Sequence, residues 1–323
     1  MTFPVIFTTI TTNPIVLPKQ VLLGGAIIIL VVLQAIKMLY EKSVILRRTP
    51  FDIPVLLLAL FTFASSILAV NRTDALTAFV PYFLEILGFF LIVNIAKDAN
   101  SLLFLMFSLI IGAILLSLTS VLSFFKIYFL PFPGTHVQTF TPLGSLLEQE
   151  IYLILVFAIS SYYLFRLLKS KTKQGSDPPL PDISGQELIK AISFGVASFV
   201  VLSGVIITTY SLFKLDKPAL LPIETGFQTA FSEISLDTGR IVQGFLVGSG
   251  FGTYTVDFTR WKQASFNQNQ DLWNFTFFRS SSFALELLAT TGVLGFCAYI
   301  FLLIRAIKEM RVSPQNKILF SLL

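Results

Sequence analysis

The sequence predicts an all-α polytopic membrane protein, and three observations lead to this fold class. Hydrophobic residues make up 54% of the 323 residues and charged residues only 13%, whereas a soluble domain has about 25% charged residues. The mean hydropathy is +0.81. The apolar residues also fall into blocks of roughly 20, the helix length that crosses a bilayer core of about 30 Å. An ordinary soluble enzyme is therefore excluded.

Seven apolar blocks predict seven transmembrane helices, because each block is long and almost free of charge. In chain order they are residues 19–39, 53–70, 76–96, 102–124, 147–168, 188–212 and 282–305. An eighth block begins at Ile318, but the chain stops at Leu323. We therefore expect a C-terminally incomplete chain.

The spacing of the blocks predicts three regions. Residues 1–212 form a transmembrane bundle of six helices, residues 213–281 form one large loop, and residues 282–323 hold the seventh helix and the start of the eighth. Within the bundle, residues 169–187 are rich in proline, serine and charge, which is typical of a flexible linker. The architecture is thus a helical bundle with one large polar segment.

The distribution of lysine and arginine predicts the orientation of the chain. One side of the predicted bundle carries fourteen of these residues and the short loops of the other side carry three. The fourteen mark the cytoplasmic side, because short loops rich in lysine and arginine are retained there. The N-terminus and residues 213–281 are therefore predicted to be extracytoplasmic in a multi-pass protein of the cytoplasmic membrane, and the linker is predicted to be cytoplasmic.

Composition also excludes several kinds of site. The net charge is +5, which by itself could suggest binding to nucleic acid. The lysines and arginines are concentrated on one side of the predicted bundle, and membrane topology explains this distribution, so no nucleic-acid partner is expected. The chain has one cysteine, Cys297, and one histidine, His136, too few for a cysteine-rich zinc or iron–sulfur site. We expect neither a metal nor a cofactor, and the predicted surroundings are the lipid bilayer.

The predicted helices carry little chemistry of their own. Glu85 is the clearest ionisable residue in the central part of a block, and such a residue is a functional candidate because burying its charge is costly. An ion-coupled transporter is expected to have several such residues or a matching pair of helices broken by glycine or proline. The sequence shows neither pattern.

The segment 213–281 carries a glycine cluster formed by Gly248, Gly250 and Gly252. Glycine permits a positive φ and a close approach of the backbone to another group. The cluster is not a dinucleotide fingerprint, because it does not follow a strand in a strand–helix–strand unit. Two interpretations remain open: the glycines line a ligand site, or they end a helix and form a turn.

Arg240 precedes this cluster in a stretch with apolar helical spacing. In a helix it shares a face with Gln243, Gly244 and Val247, which places its guanidinium above small residues where a ligand can approach. Arg240 is therefore a candidate binding residue.

Arg279 and Glu286 lie at the predicted start of the seventh helix. If the helix begins near Phe278, these two residues are seven positions apart on one face, separated by about 10 Å. The alternative for Arg279 is an interfacial anchor, which is common at helix ends. His136 lies in the loop before the fifth block, where it is either a catalytic base or a solvated surface residue.

The order of these features resembles the O-antigen ligase family, and the resemblance covers most of the chain. It rests on residues 142–144 (PLG) opening the fifth block, on the Gly239–Arg240 pair a short helix before the three glycines, and on residues 285–295 (LELLATTGVLG). The position of a large extracytoplasmic loop between late helices is also similar to the family.

The resemblance implies a metal-independent C-type membrane glycosyltransferase fold and a glycan transfer reaction. Arginines would hold the diphosphate of an undecaprenyl diphosphate-linked glycan while a hydroxyl of an unidentified acceptor attacks the anomeric carbon. Arg240 matches the family's arginine, and Arg279 and the three glycines would complete the substrate site. A guanidinium suits this role because it binds phosphate oxygens bidentately and stays charged.

One position departs from the family pattern. The family has a His-Asn pair ahead of the leucine-rich stretch, where this sequence has Ser281 and Ser282. Either Arg279 supplies charge there, or His136 or Glu286 transfers the proton, or the chemistry differs. A transporter or flippase of a lipid-linked solute and an inactive envelope scaffold therefore stay open as alternatives to a transferase.

Overall fold

The structure is a computed structural model and is built from helices. It describes residues 3–8, 11, 13–42, 46–96, 98–172, 185–216, 220–236, 239–268 and 273–312. Across these ranges every regular element is an α-helix or a short 3₁₀ turn. The predicted all-α fold class is therefore confirmed for the described residues.

Eleven α-helices follow one another along the described chain. They are α1 (Val16–Glu41), α2 (Asp52–Ile67), α3 (Arg72–Ile95), α4 (Ala99–Phe124), α5 (Leu146–Thr172), α6 (Gly185–Lys214), α7 (Ile223–Leu236), α8 (Ile241–Val247), α9 (Tyr254–Trp261), α10 (Ala264–Gln268) and α11 (Phe283–Val312). Each of the seven apolar blocks predicted as a helix corresponds to one of the seven longer helices, and the segment predicted as one large loop contains the four short helices α7 to α10.

Five helices are long and apolar enough to cross a membrane. They are Val16–Glu41, Arg72–Ile95, Asn100–Phe124, Ile192–Lys214 and Phe283–Glu309, while α2 is an apolar helix of 16 residues. The lengths and the apolar composition of these helices are therefore those of a multi-pass membrane protein. Helices α5 and α6 extend into the predicted linker 169–187, and its central residues, like the predicted eighth helix, lie outside the described residues.

The chain divides into two compact units. Unit one is built from residues 1–23 and 96–218, and unit two from residues 24–95 and 219–320. This grouping differs from the predicted division at residues 212 and 281, because α2 and α3 belong with the segment that follows α6.

Unit one has a core formed by α4, α5 and α6, with small and polar residues where helices approach closely. A Cβ on Gly204 of α6 would lie 2.3 Å from the Ser117 hydroxyl of α4, so only glycine permits this approach. The fully buried Gln149 of α5 donates to Ser120 Oγ (2.5 Å) and to Thr208 Oγ1 (2.9 Å). Such interhelical hydrogen bonds and small residues hold helices together where apolar burial alone gives no preference.

Unit two is centred on α11, which packs against α2, α7, α8 and α9. Its apolar cluster consists of Leu221, Ala230, Tyr254, Phe258, Phe266, Phe277, Leu285 and Ala289. The Phe258 ring meets Phe266 and Phe277 edge to face at 5.2 and 5.3 Å, the geometry that aromatic rings prefer. These contacts hold the short helices of the 213–281 segment against α11.

Helix α11 is broken at Gly292, which has φ 63° and ψ −167°. The break frees carbonyl groups that a continuous helix would satisfy internally. The freed oxygens are occupied, because Ser249 N donates to Ala289 O (3.1 Å), Gly250 N donates to Thr290 O (2.9 Å), and Ser65 Oγ donates to Thr290 O (2.6 Å). The sequence pattern gave no indication of this broken helix.

Candidate functional site

The glycine segment lies directly against neighbouring backbone in unit two. Gly248 ends α8 with φ 71°, which confirms the interpretation of a helix stop and turn. A Cβ on Gly248 would lie 2.6 Å from Ala289 O, and Cβ atoms on Gly250 and Gly252 would lie 2.4 Å from the Cβ atoms of Ala69 and Ala78. The glycines permit close packing here, and protein atoms occupy the space that a ligand would need beside them.

Arg240 lies at the first turn of α8 and interacts with the end of α2. Its Nε donates to Gln243 Oε1 (3.3 Å), so the two residues share a face as the helical spacing predicts. Arg240 Nη2 and Gln243 Nε2 both donate to the carbonyl of Leu68, which caps α2. A cation at this position is favourable because the carbonyl end of a helix carries partial negative charge.

Asp257 is a buried carboxylic acid that the sequence analysis did not identify. Its side chain is 1% exposed, and Ser249 Oγ donates to Oδ2 at 2.7 Å. The Thr253 hydroxyl lies 3.1 Å from Ser249 Oγ and donates to Gly250 O. Asp257 is thereby connected to the glycine segment through two hydroxyl groups.

Glu233 of α7 is a second buried carboxylate beside Asp257. It is 0% exposed; Trp261 Nε1 donates to Oε2 at 2.5 Å, and Arg260 Nη1 lies 3.7 Å from the same oxygen. Burial raises the pKa of Asp257 well above its usual value, and the charge of Glu233 raises it further, against the opposing effects of Ser249, Arg260 and Arg240. Burial and a neighbouring negative charge both favour the neutral acid, so Asp257 is favoured in its protonated form.

A sequence signal for these residues exists in α9. Tyr254, Asp257, Phe258 and Trp261 occur at the spacing of one helical face. An aspartate among three aromatic residues on such a face predicts a buried carboxylate. The partner Glu233 belongs to another helix, so local spacing gives no indication of it.

Helix α11 begins within one residue of the seventh apolar block, which was predicted to start at residue 282. The helix begins at Phe283, because the Ser282 hydroxyl accepts a hydrogen bond from Leu285 N (3.2 Å) and caps the first turn. The alternative start near Phe278, which would place Arg279 and Glu286 on one helical face, is therefore wrong, because Arg279 precedes the helix. The two residues still interact electrostatically, and Glu286 Oε2 accepts a hydrogen bond from Ser280 N at 3.2 Å.

Three buried hydroxyl groups lie near Glu286. Tyr254 Oη, Ser280 Oγ and Ser281 Oγ are buried, and the Ser280 and Thr229 side chains lie within hydrogen-bonding reach of the Tyr254 hydroxyl. A Cβ on Gly226 of α7 would lie 2.1 Å from Ser281 Oγ and 3.0 Å from Ser280 Oγ. Ser281, which stands where the resemblance places a histidine, thus lies against Gly226 together with Ser280.

Burial also changes the acidity of the Tyr254 phenol. Its pKa is raised above the usual value, mainly because the group is removed from solvent, and the negative charges of Asp257 and Glu286 add to this effect. Hydrogen bonding with the Ser280 and Thr229 side chains opposes this rise in pKa. Tyr254 therefore remains protonated and keeps a hydroxyl that can donate a hydrogen bond.

His136 belongs to unit one and lies on its surface. Its ring stacks on Tyr128 with 5.0 Å between centroids, and Nε2 lies 2.9 Å from Leu130 O. The side chain is exposed. These contacts match the surface interpretation of the two that the sequence left open.

Unit two thus brings together three of the four residues predicted to be catalytic. Arg240 interacts electrostatically with Asp257, and Arg279 interacts in the same way with Glu286. The negative charges of both carboxyl groups raise the pKa of Tyr254. Such a site can hold an anionic group, accept a proton and donate hydrogen bonds. Comparison with known proteins identifies no relative: no family model matches the chain, and neither the curated proteins nor the solved structures contain a match.

Proposed function

We propose that this protein transfers a glycan from an undecaprenyl diphosphate carrier to an acceptor at the outer face of the cytoplasmic membrane. One observation carries the proposal: Arg240, Arg260 and Arg279 are gathered around buried or half-buried carboxyl groups in a unit that also contains apolar helices of membrane-spanning length. The O-antigen ligase resemblance supports the same activity.

The arginines suit the leaving group of this reaction. When the acceptor hydroxyl attacks the anomeric carbon, the bond from that carbon to the diphosphate oxygen breaks, and the diphosphate leaves with its negative charge. Guanidinium groups stabilise this charge through charge-assisted hydrogen bonds. Fixed groups that meet developing charge are the largest contribution that such a site makes to catalysis.

Glu286 is the proposed general base. Its carboxylate accepts a hydrogen bond from Ser280 N and interacts with Arg279, and the residue is only partly buried, so an acceptor hydroxyl can reach it. Asp257 is unsuited to direct proton transfer because only 1% of it is exposed. In this scheme the proton of the acceptor hydroxyl passes to Glu286 as the new glycosidic bond forms.

A transporter or flippase is the second candidate, and the break in α11 at Gly292 favours it. Transporters bind substrates and ions at the freed backbone groups of broken helices. Here, however, the Ala289 and Thr290 carbonyls already accept hydrogen bonds from Ser249 and Gly250. A transporter would move the lipid-linked glycan across the membrane without breaking the glycosidic bond.

The test is the binding of an undecaprenyl diphosphate-linked glycan to the full-length protein in detergent. We expect Arg240→Ala to weaken binding by about tenfold or more, because a charge-assisted hydrogen bond contributes about 1.5–3 kcal/mol. Arg279→Ala should have a smaller effect, since Arg240 occupies the position that matches the family. Incubation with candidate acceptors then separates transfer from transport by the release of undecaprenyl diphosphate.

Two controls make the test specific. Arg72→Ala removes an exposed arginine at the start of α3 and should leave binding unchanged. Arg240→Gln removes the charge but keeps an amide that can donate toward Leu68 O, so it separates loss of phosphate binding from loss of the α2 cap. Small, equal effects of Arg240→Ala and Arg279→Ala in folded protein would refute the assignment of Arg240 to the diphosphate.

A further inference from the structure

We propose that α8 and the glycine segment after it form a re-entrant element, which enters the membrane beside α11 and returns to the same side. From the sequence, these residues were predicted to belong to a large extracytoplasmic loop. The partner of this element is lipid, because the exposed apolar side chains of α8 contact the hydrocarbon chains of the bilayer. The inference goes beyond the proposed glycan transfer and does not depend on it, since it uses only the packing of unit two.

The depth of α8 follows from its contact with α11. A Cβ on Gly292 would lie 2.5 Å from the carbonyl carbon of Leu246, so the last turn of α8 lies directly beside this glycine. Helix α11 is long and apolar enough to cross a membrane, and its residues 287–304 carry no charge. At about 1.5 Å per residue this uncharged part is about 27 Å long, close to a hydrocarbon core of about 30 Å. Gly292 lies about 8 Å inside it, so α8 ends within the hydrocarbon core.

The helices on either side of α8 lie nearer to the beginning of α11. Gly226 of α7 lies against Ser281, and the Phe258 ring of α9 packs on Phe277 with 5.3 Å between centroids. Both partners precede Phe283, the first residue of α11. The chain therefore enters from that end of α11, reaches its deepest point at the end of α8 and returns in α9, which is the path of a re-entrant segment.

The short helix α2 leaves space for this element beside α11. It has 16 residues, about 24 Å at 1.5 Å per residue, which is less than the hydrocarbon core of about 30 Å. Near its end the Ser65 hydroxyl donates to Thr290 O of α11. Arg240 and Gln243 of α8 donate to the carbonyl of Leu68. Helix α8 therefore continues the packing against α11 where α2 stops.

The backbone of the glycine segment is suited to this depth. Where water is absent, non-helical backbone is tolerated only if protein groups pair its N–H and C=O groups. Ser249 N and Gly250 N donate to carbonyls of α11, and Ser249 O accepts a hydrogen bond from Val70 N at 2.8 Å. The Ser249 residue is 0% exposed. These backbone groups are therefore satisfied without water.

The outer face of α8 is apolar. Four large side chains on it are exposed, namely Ile241 (54%), Val242 (72%), Phe245 (47%) and Leu246 (38%). Gly244 and Val247, on the other face, are buried. A contiguous apolar surface of this kind is unusual in water and marks a contact with a partner or a membrane. Beside the uncharged part of a membrane-spanning helix, the partner that fits is the hydrocarbon of the lipids.

The test is the accessibility of a nitroxide label in proteoliposomes of phosphatidylethanolamine and phosphatidylglycerol. The full chain carries Phe245→Cys for labelling and Cys297→Ala to remove the native thiol. Relaxation of the label is measured with oxygen, which dissolves in lipid, and with a water-soluble nickel chelate. We expect the ratio of the oxygen effect to the nickel effect to equal that of a label at Ile304→Cys, because Ile304 is 56% exposed in the uncharged part of α11.

Thr259→Cys is the matched control in water. Thr259 is exposed on α9 next to the exposed Arg260, so a label there should respond more to nickel than to oxygen. Val242→Cys reports on the same face as Phe245→Cys and replaces it if that variant does not fold. The two positions should give the same preference for oxygen.

Each outcome decides the proposal. A ratio like that of Ile304→Cys supports lipid contact. A ratio like that of Thr259→Cys overturns it, because α8 then belongs to a solvated loop. A label that neither oxygen nor nickel reaches also overturns it, because protein, such as a second copy of this chain, then covers the face. The binding of the lipid-linked glycan is a separate measurement, so failure of this proposal and failure of the proposed function remain distinguishable.

Discussion

The break in α11 leads to the sharpest prediction, which concerns Gly292→Ala. Gly292 has φ 63° and ψ −167°, a backbone region that is almost restricted to glycine and costs other residues about 1–3 kcal/mol. A Cβ there would also lie 2.5 Å from the carbonyl carbon of Leu246. Since this contact is with backbone, α8 and the glycine segment must move away to accommodate the methyl group.

This movement lowers the free energy of unfolding, because it weakens two backbone hydrogen bonds between the glycine segment and α11. It lengthens the bonds from Ser249 N to Ala289 O and from Gly250 N to Thr290 O, and each is worth about 1 kcal/mol or more when its groups stay buried. With the backbone strain, the expected loss in the free energy of unfolding is about 3–5 kcal/mol. The Tm should fall by about 6 °C or more.

Thermal unfolding in detergent, followed by tryptophan fluorescence, measures this loss. Trp261 is a suitable reporter because its indole donates to Glu233 within unit two. Gly25→Ala is the control, since a Cβ on Gly25 of α1 would have no neighbour within 4 Å, so its Tm should stay constant or rise slightly. A Gly292→Ala protein with the Tm of Gly25→Ala would refute the role assigned to the break.

Two further predictions concern acidity and sidedness. The pKa of Asp257 is raised on folding, so the native state keeps a proton that the unfolded state releases. Stability should therefore fall as pH rises from about 4 toward the native pKa, by up to about 1.4 kcal/mol per pH unit. The Tm of Asp257→Asn should change less between pH 5 and pH 8 than the wild-type Tm, and equal slopes would contradict the raised pKa. With Cys297 replaced by alanine, a membrane-impermeant thiol reagent should label Lys262→Cys but not Lys42→Cys in intact cells, and the reverse labelling would overturn the predicted orientation.

The helices could be predicted from the sequence because their physical cause is local. A block of about 20 apolar residues is long enough to cross a bilayer, and in that environment a helix satisfies its own backbone groups. All seven blocks therefore appear as helices. The ends were less predictable, as at the C-terminal end of α11, which reaches Val312 where the apolar block ends at residue 305.

The arrangement of the candidate site was less predictable because its contacts join distant residues. Arg240 and the glycines have recognisable types and spacing, but their partners Leu68 and Ala289 carry no signal in the sequence. Glu233 and Asp257 become a pair only when α7 packs against α9. Tertiary packing, which one sequence does not specify locally, determines this part of the site.

The pairing of the glycine segment with α11 also has a consequence for biogenesis. Residues 249 and 250 leave the ribosome about forty residues before their partners 289 and 290, and Ser65 leaves it far earlier. The helices α7 to α9 therefore cannot reach their final packing until α11 is synthesised and inserted. Assembly of unit two is therefore a late event in translation, because its hydrogen bonds need residues near position 290.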